Sequence, residues 1–257
     1  MSLSNAEKER YTRQVSLNGW DQAKLKKARV LIAGCGGLGS ASAFYLAAAG
    51  VGTLVLCDGD RVERSDLNRQ ILYGEESVGR LKVEAAKERL LSLNSDIHID
   101  TSAEYINGSD ASVVIEGCDM IVDGLDNIEG RHILNRLSVE KKVPYMYGAI
   151  GGWQGYAGLF HPPHTACLSC VMPQDMEKSG VRPVAGFLPG TIGLVQATAA
   201  IKYFMGLEQT LEGKLCIYDS RTFSFEIVNV EKRLGCFCGQ RPQNPPKGKV
   251  YNNLFSL

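Results

Sequence analysis

The chain has 257 residues, of which 44% are hydrophobic and 22% are charged, a composition ordinary for a globular protein. Lysine plus arginine and aspartate plus glutamate number 28 each, which argues against a nucleic-acid or membrane partner bound through bulk charge. No apolar run is long enough to cross a membrane, and the N-terminus lacks a signal-peptide pattern. We therefore expect a cytoplasmic protein whose eight cysteines serve as metal ligands or catalytic thiols rather than disulfides.

Two short polar helices are predicted ahead of the first strand, over residues 5–13 and 21–28. Arg13 lies at the end of the first helix, and Asp21 lies near the start of the second. Composition alone favours a solvated surface position for Arg13.

A strand, a glycine-rich turn, a helix and a second strand then follow in direct succession. The strands are predicted at 30–33 and 53–57, and the helix of small residues between them at 40–49. The turn has the G-x-G-x-x-G pattern in its strand–turn–helix setting, which is typical of a nucleotide site. Its glycines are Gly34, Gly36, Gly37 and Gly39.

The chemistry of this stretch is specific to a phosphate-bearing ligand. Glycines let the backbone approach a phosphate, and the helix N-terminus offers N–H groups and partial positive charge to an anion. Asp58 and Asp60 close the second strand, and Asp58 follows Gly39 by 19 residues, where a carboxylate can hold ribose hydroxyls. At this point the pattern leaves open which nucleotide binds.

Two cations follow the acidic strand end. Arg69 lies in a polar segment, 65–70, and Lys82 lies in the first turn of an amphipathic helix predicted over 79–94. From that turn, Lys82 can reach back toward the glycine turn. The alternative for Lys82 is a solvated helix face with a salt bridge to a nearby acid.

Strands and helices continue to alternate up to residue 147, which favours a doubly wound, mostly parallel α/β sheet of Rossmann-like type. Strands are predicted at 97–99, 120–122 and 143–147, and helices at 110–116 and 128–140. Asp126 and Asn127 precede the second of these helices, and either can cap it. A cap and nothing more is the alternative interpretation of Asp126.

The sequence pattern changes after residue 149, where we expect antiparallel strands to extend the sheet on its C-terminal side. Strands are predicted at 155–160, 214–218 and 223–230, with a buried helix at 191–205. The segment 171–189 contains three prolines and is interpreted as a mobile loop. The tail from 239 to 257 is predicted to be loosely held.

Two cysteine pairs stand far apart in this half, Cys167 with Cys170 and Cys236 with Cys238. Four thiolates satisfy tetrahedral Zn²⁺, so the pairs predict a zinc site, although the C-x-C pair is tighter than the commoner C-x-x-C. A redox dithiol is the alternative for the first pair. His161 and His164 could replace a ligand, but a surface position is favoured for both. Cys35 and Cys57 are interpreted as packing residues.

Six motifs, in this order, resemble a known family. They are GCGGLGSA (34–41), CDGD (57–60), SDLNRQ (65–70), GRLKVEAAKERL (79–90), DGLDN (123–127) and CLSC (167–170). As a set they resemble the ThiF/MoeB/HesA family, the bacterial relatives of ubiquitin-activating enzymes, and are closest in pattern to MoeB. The resemblance runs from Tyr11 to Cys238.

This resemblance implies ATP-dependent adenylation of the C-terminal Gly-Gly carboxylate of a small ubiquitin-like sulfur-carrier protein. Arg69 and Lys82 would contact phosphates, and Asp126 would bind Mg²⁺ beside Asn127. Asp58 would hold the ribose, and Arg13 would reach across a homodimer into the neighbour's ATP site. The nucleotide-binding set is completed by the four glycines, Asp60, Ser65, Asn68 and Gln70, and the zinc ligands would be Cys167, Cys170, Cys236 and Cys238.

The resemblance also implies one domain over 1–257. It divides into a nucleotide-binding half at 28–150, a zinc-clipped half at 151–238 that binds the carrier, and a tail. Because the segment 171–189 contains no cysteine, we expect adenylation without a thioester on this chain. No rhodanese-like extension is present, so sulfur would come from a separate donor.

Two other functions are weighed against adenylation. An NAD-dependent oxidoreductase would share the glycine turn and Asp58, but hydride transfer needs no cluster of cations on the phosphates. A non-catalytic scaffold subunit would have lost the set formed by Arg69, Lys82 and Asp126, which this chain keeps.

Overall fold

The computed structural model describes residues 3–107, 111–172, 183–208 and 210–239. Within these residues, eight strands form one sheet in the order β3-β2-β1-β4-β5-β6-β7-β8. The strands are β1 (Arg29–Ala33), β2 (Thr53–Cys57), β3 (His98–Ser102), β4 (Met120–Asp123), β5 (Tyr145–Gly151), β6 (Gln154–Phe160), β7 (Lys214–Asp219) and β8 (Ser224–Asn229).

Helices flank the sheet and connect its parallel strands. Two single 3₁₀ turns, Arg64–Asp66 and Glu75–Ser77, lie between β2 and the next helix. The α-helices of the described residues are α1 (Asn5–Arg10), α2 (Thr12–Val15), α3 (Gln22–Lys27), α4 (Gly37–Ala49), α5 (Lys82–Leu93), α6 (Ala111–Val114), α7 (Ile128–Lys141), α8 (Leu168–Val171) and α9 (Leu188–Met205).

The predicted α/β architecture is confirmed. Strands β3, β2, β1, β4 and β5 pair in parallel, so their carboxyl ends meet at one edge of the sheet. From β5 onward each pairing is antiparallel, through β6 and β7 to β8. The sheet runs without a break through residue 150, where the sequence suggests a division between two halves, and that division stays a prediction.

The fifth strand begins two residues later than predicted and ends four residues later. The N–H of Val143 donates to the carbonyl of Ser138 at 3.0 Å and so belongs to the end of α7. Pro144 has no N–H to give to the sheet. At the other end, β5 continues to Gly151 because it pairs with β6 along its whole length.

Helix α5 begins at Lys82 rather than at residue 79. Gly79 has a φ of +87°, in the left-handed region that a helix does not use. Its N–H bonds to the carbonyl of Val62, and Leu81 bridges Arg61 in an antiparallel pairing. Residues 79–81 therefore close a short extended connection, which sets Lys82 directly beside the end of β2.

Helix α9 begins at Leu188, ahead of the predicted start, with Pro189 in its first turn, where a proline is favoured. The predicted loop at 171–189 therefore ends in helix, and its residues 173–182 lie outside the described part of the chain. The predicted loose tail also lies outside it, except for Gly239.

Both faces of the sheet are covered, and alternate residues of a strand reach opposite cores. In β1, Val30 and Ile32 belong to one apolar cluster, whereas Leu31 and Ala33 belong to another. Helices α4 and α9 lie together on the first face, and a Cβ on Gly193 would meet the Cβ of Ala41 at 2.6 Å. In the described residues, no helix combines the length and apolar character that crossing a membrane requires.

Candidate functional site

The glycine turn connects β1 to α4 by a path that only glycine permits at two points. Gly34 has a φ of +90°, and a Cβ on it would lie 2.8 Å from the backbone of Gly124. A Cβ on Gly39 would clash with the Gly34 carbonyl oxygen. Gly36 is the N-cap residue of α4, and no side chain caps this helix end, so its first N–H groups face the carboxyl edge of the sheet.

The acid that ends β2 is fixed against this turn. The N–H of Cys35 donates to Asp58 Oδ2 at 2.7 Å, and the N–H of Asp60 donates to Asp58 Oδ1 at 2.8 Å. Burial raises the pKa of Asp58, and the two backbone N–H groups and the charge of Lys82 offset part of that rise. The carboxylate is therefore held in one position beside the glycines.

Lys82 is buried at the same edge and is paired. Its Nζ lies 3.0 Å from Asp60 Oδ2, and the hydroxyl of Tyr105 donates to Asp60 Oδ1 at 2.9 Å. Burial lowers the pKa of Lys82, but the charges of Asp58, Asp60 and Asp66 outweigh burial, and the pKa is raised. The lysine is therefore a buried cation that pairs with acids of the site, and it does not lie on a solvated helix face as the alternative interpretation required.

Asp66 is a functional candidate that the sequence analysis missed. Its buried carboxylate accepts hydrogen bonds from Gln70 Nε2 at 2.7 Å and from the N–H of Glu63 at 2.9 Å. Arg69 Nη2 lies 3.4 Å from Oδ1, and Lys82 Nζ lies 3.9 Å from Oδ2. Both predicted phosphate cations thus meet at one carboxylate, whose sequence signal was an acid three residues before Arg69.

The other residues of the SDLNRQ motif hold Arg69 against its own segment. Arg69 Nη1 donates to the carbonyl of Ser65 at 2.9 Å and to Asn68 Oδ1 at 3.1 Å. The carbonyl of Arg69 faces Gly37, at 3.5 Å from the position of a Cβ there. The segment therefore lies beside the glycine turn, as the motif order suggests.

Asp126 and Asn127 have separate roles in the turn between β4 and α7. Asn127 Oδ1 accepts from the N–H of Gly130 at 2.8 Å, so Asn127 is the N-cap of α7. Asp126 is exposed, and the interpretation of Asp126 as the helix cap is wrong, because Asn127 occupies that position. The turn borders the glycine loop, because a Cβ on Gly34 would lie 3.2 Å from the N of Leu125.

A buried ion pair behind this turn was also missed by the sequence analysis. Asp123 ends β4, Arg131 lies one turn into α7, and Arg131 Nε is 3.2 Å from Asp123 Oδ2. The sequence analysis missed the pair because a charged residue within a helix is usually solvated.

Together these side chains form the carboxyl edge, which we define as the glycine turn with Asp58, Asp60, Asp66, Arg69, Lys82 and Asp126. Arg13 is outside it. Arg13 lies on α2, and its neighbour Gln14 donates to the carbonyl of Ala49 at the far end of α4. Because α4 has 13 residues and is about 20 Å long, α2 lies at the end of α4 opposite the glycine turn of its own chain.

Cys167, Cys170, Cys236 and Cys238 form the cysteine cluster, in which all four sulfurs lie within 4.8 Å of one another. The sulfurs of Cys167 and Cys236 are 3.6 Å apart, and those of Cys170 and Cys238 are 3.5 Å apart. Tetrahedral Zn–S bonds of about 2.3 Å require S···S distances of about 3.8 Å. The donor set therefore fits zinc, and the C-x-C pair is no obstacle to it.

Neighbouring groups support thiolates in the cysteine cluster. Asn135 Nδ2 lies 3.7 Å from the sulfur of Cys167, and the N–H of Arg233 donates to the sulfur of Cys170 at 3.4 Å. Hydrogen bonds from Cys167 and Cys238 lower the pKa of the Cys170 thiol, whereas hydrogen bonds with Cys170 and Cys238 and burial raise the pKa of the Cys167 thiol, so Cys170 is the favoured thiolate of the two.

Of the two histidines for which a surface position was predicted, His164 is exposed, whereas His161 is only partly exposed, and neither belongs to the cysteine cluster. His161 Nδ1 instead lies 3.1 Å from the hydroxyl of Tyr203 and 3.3 Å from Glu212. Cys35 and Cys57 are buried, in agreement with packing roles.

Comparison with known proteins identifies the family of this chain and several similar proteins. Residues 11–238 match the ThiF family. The chain is 34% identical over 249 residues to the SAMP-activating enzyme E1 of Haloferax volcanii, covering 93% of this chain and 92% of that protein. It is 35% identical over 250 residues to the adenylyltransferase and sulfurtransferase MOCS3 of Culex quinquefasciatus, covering 93% of this chain and 57% of that longer protein.

Solved structures share the fold. The crystal structure of E. coli MccB with ATP superimposes with a TM-score of 0.74 at 25% identity, covering 85% of this chain and 68% of that one. A match of this extent shows that the two chains share their overall fold.

Proposed function

The chain belongs to the ThiF family, and from that membership we propose that it uses ATP to adenylate the C-terminal Gly-Gly carboxylate of a small ubiquitin-like sulfur-carrier protein. The observation that carries this proposal is the convergence of Arg69 and Lys82 on Asp66, beside the glycine turn. Two cations at the mouth of an uncapped helix N-terminus suit a triphosphate.

The proposed reaction needs no protein nucleophile. An oxygen of the carrier's terminal carboxylate attacks the α-phosphorus of ATP, and the bond from that phosphorus to the bridging oxygen breaks. The products are an acyl-adenylate and pyrophosphate, and negative charge grows on the departing pyrophosphate. Catalysis therefore consists of positioning the two reactants and placing cations where that charge develops.

The cations at the carboxyl edge are suited to an exchange of partners. Lys82 is held by Asp60 and Asp66, and Arg69 is held by Asp66. Phosphate oxygens would take over these contacts when ATP binds. Asp58, already oriented by two backbone N–H groups, would accept hydrogen bonds from the ribose hydroxyls.

The magnesium ion of the proposed reaction would neutralise phosphate charge when bound. Asp126 is the residue proposed to hold it, because its exposed carboxylate stands at the carboxyl edge, next to the glycine turn. Asn127 would fix the direction of Asp126 through its bond to Gly130. Ser65, Asn68 and Gln70 would shape the phosphate side by holding Arg69 and Asp66.

Two further features complete the proposal. The cysteine cluster would hold Zn²⁺ and so tie the segment after β8 to the helix α8. Arg13 would act in a homodimer, since it lies far from the glycine turn of its own chain and would supply a cation to a second copy. We propose a separate sulfur donor and no thioester on this chain.

The relatives favour this function over the two alternatives. The MOCS3 relative is described as an adenylyltransferase, and MccB was crystallised with ATP. An NAD-dependent oxidoreductase has no use for Arg69, Lys82 and Asp126 together. A scaffold subunit gains no support from a chain in which these three residues are present at one edge.

The test is ATP–pyrophosphate exchange, measured with Mg²⁺ and purified sulfur-carrier proteins that end in Gly-Gly. We expect exchange with a cognate carrier and none with the same carrier after deletion of the last two glycines. Calorimetry of Mg·ATP binding without carrier runs beside it. ATP binding without exchange on any Gly-Gly carrier would contradict the choice of substrate, whereas binding of NAD but not ATP would contradict the activity.

A further inference from the structure

The turn that contains Asp126 is held by hydrogen bonds to both the N–H and the carbonyl oxygen of a single residue, Leu125. Asp123 Oδ1 accepts a hydrogen bond from the N–H of Leu125 at 2.9 Å. Arg131 Nη2 donates to the carbonyl oxygen of Leu125 at 2.5 Å. Because Leu125 directly precedes Asp126, these two bonds fix the backbone from which the Asp126 side chain projects.

The two side chains that hold Leu125 also hold each other. Arg131 Nε lies 3.2 Å from Asp123 Oδ2, and both side chains are withdrawn from solvent, with 10% of Arg131 and 0% of Asp123 exposed. Arg131 Nη2 makes a further bond, at 3.1 Å, to the carbonyl of Gly148 in β5. The ion pair therefore joins the end of β4, the first turns of α7 and the neighbouring strand.

The surroundings leave this pair little freedom. The hydroxyl of Tyr145 donates to Asp123 Oδ2 at 2.7 Å, and the guanidinium of Arg131 lies 5.6 Å from the centre of the Tyr147 ring. Gln196 Nε2, from α9, donates to the backbone carbonyl of Asp123 at 2.8 Å. Neither carboxylate oxygen of Asp123 is without a donor.

Stability alone is a poor reason for such a pair. Burying two charges costs desolvation energy, and well-packed apolar residues of similar volume commonly replace a buried ion pair without loss of stability. An apolar pair could not, however, bond to the N–H and the carbonyl of Leu125 at once. The arrangement therefore serves the geometry of the turn, and the turn presents Asp126.

We propose that Asp123 and Arg131 are positioning residues that orient Asp126 toward the metal ion of a bound Mg·ATP. This inference rests on the proposed function, because Asp126 has a metal to hold only if Mg·ATP binds. Arg131 is buried behind the turn, and its hydrogen bonds are to Asp123, Leu125 and Gly148. Its effect on the reaction passes through the backbone of Leu125 and the carboxylate of Asp126.

Three variants separate this role from general support of the fold. Arg131→Met removes both the ion pair and the bond to Leu125 and keeps an unbranched side chain of similar length. Arg131→Lys keeps the charge but cannot bond to Asp123 and Leu125 through a planar fork. Tyr145→Phe is the matched control, since it removes a bond to the same Asp123 carboxylate and leaves both contacts to Leu125 intact.

The first readout uses protein free of metal and nucleotide. Hydrogen exchange at the amides of residues 124–127 should accelerate in Arg131→Met, to a smaller degree in Arg131→Lys, and not in Tyr145→Phe. Exchange in β1 and β2 should stay as in the wild type. This measurement reports on the turn whether or not the protein proves to be an adenylyltransferase.

The second readout is metal affinity in the presence of ATP, measured by the electron paramagnetic resonance of Mn²⁺ in place of Mg²⁺. Loss of a residue that orients a metal ligand weakens metal binding by about tenfold or more, and we expect that loss in Arg131→Met. Arg131→Lys should lie between that variant and the wild type. ATP binding in EDTA should be unchanged in all three.

The outcomes separate this inference from the proposed function. If wild-type protein binds no Mn·ATP, the proposed function fails before the variants are compared. If wild-type protein binds Mn·ATP and both Arg131 variants bind it equally well, the positioning role is overturned. An equal loss in Tyr145→Phe would also overturn it, since the effect would then follow from Asp123 packing rather than from Leu125.

Discussion

The carboxyl edge and the cysteine cluster are both polar sites, but they differ in what their side chains contact in this chain. At the carboxyl edge, each cation already has an acid partner, as Lys82 has Asp60 and Arg69 has Asp66. In the cysteine cluster the sulfurs face mainly one another. A nucleotide would therefore exchange one set of ionic contacts for another, whereas a zinc ion would supply contacts that the cluster lacks.

The comparison indicates whether each ligand contributes mainly to activity or also to the stability of the fold. A site with satisfied charges is ordered before its ligand arrives, so ligand binding reports mainly on affinity and rate. A site of four converging thiols depends on its ion for stability as well, because Zn–thiolate bonds replace contacts that the protein does not make. Variants of the two regions should accordingly separate into losses of activity and losses of fold.

The largest effect is expected at the cysteine cluster. Cys170→Ser should abolish stoichiometric zinc, measured by atomic emission on purified protein, and should lower the Tm by more than about 10 °C. Cys216→Ser is the control, because Cys216 is a buried thiol of β7 that lies outside the cluster, so the variant shows the effect of the same substitution away from the metal site. A zinc-free Cys170→Ser protein with an unchanged Tm would remove the contrast between the two regions.

The next effect is expected at the carboxyl edge, in rate rather than in fold. Lys82→Met should lower ATP–pyrophosphate exchange by about 10²- to 10³-fold, because a cation beside the departing pyrophosphate is lost. Its Tm should change far less than that of Cys170→Ser. Arg80→Met is the control. Arg80 lies two residues before Lys82 and pairs with the exposed Glu88. Equal exchange rates in the two variants would exclude Lys82 from the site.

The pH dependence of stability offers a finer comparison. Partial burial raises the pKa of Asp60, but the hydrogen bonds from Lys82 and Tyr105 outweigh burial, and the pKa is lowered. A lowered carboxyl pKa stabilises the fold above the unfolded value of about 3.9 and loses that effect as the pH falls through the folded value.

Asp60→Asn should therefore be less stable than wild type at neutral pH, and the two should converge in acid. Because Asp60 is half exposed, the neutral difference should stay below about 1 kcal/mol. Urea unfolding at a series of pH values measures it. A difference that grows as the pH falls would show that the Lys82 contact does not stabilise the fold.

The smallest effect is expected from Tyr105→Phe. The ring of Tyr105 packs over Gly59, where a Cβ would lie 2.7 Å from it, and the variant keeps that contact. Only the hydroxyl bond of an exposed side chain to Asp60 is lost, so the urea midpoint of unfolding should fall only slightly. The KM for ATP, measured by steady-state kinetics, should change little. A large rise in that KM would mean that the hydroxyl contacts the nucleotide.

Sequence reasoning predicted the features that are encoded locally. The glycine turn, the acids after β2 and the cap before α7 each lie within a few residues of the element that positions them, and so do the two cysteine pairs. The order of strands and helices follows in the same way, because hydrophobic periodicity is a local signal. Those predictions needed no knowledge of which elements meet.

Features that depend on contact between distant elements were not accessible in this way. The interest of Asp66 lies in its contact with Lys82, which α5 supplies. The interest of Arg131 likewise lies in its contact with Asp123 at the end of β4. The start of α5 was misplaced because the pairing of Leu81 with Arg61 outweighs the helical pattern around Gly79. In each case a partner on another element decides the conformation.

Helix α7 gives this arrangement a consequence for how its sequence can change. Asn127, Arg131 and Asn135 recur every four residues, so the cap, the ion pair and the contact to Cys167 share one stripe of the helix. Insertion of one residue would rotate everything beyond it by about 100° and point the stripe away from one end. An insertion within this stripe would therefore separate the three contacts, whereas an insertion in a loop outside the helix would leave their spacing unchanged.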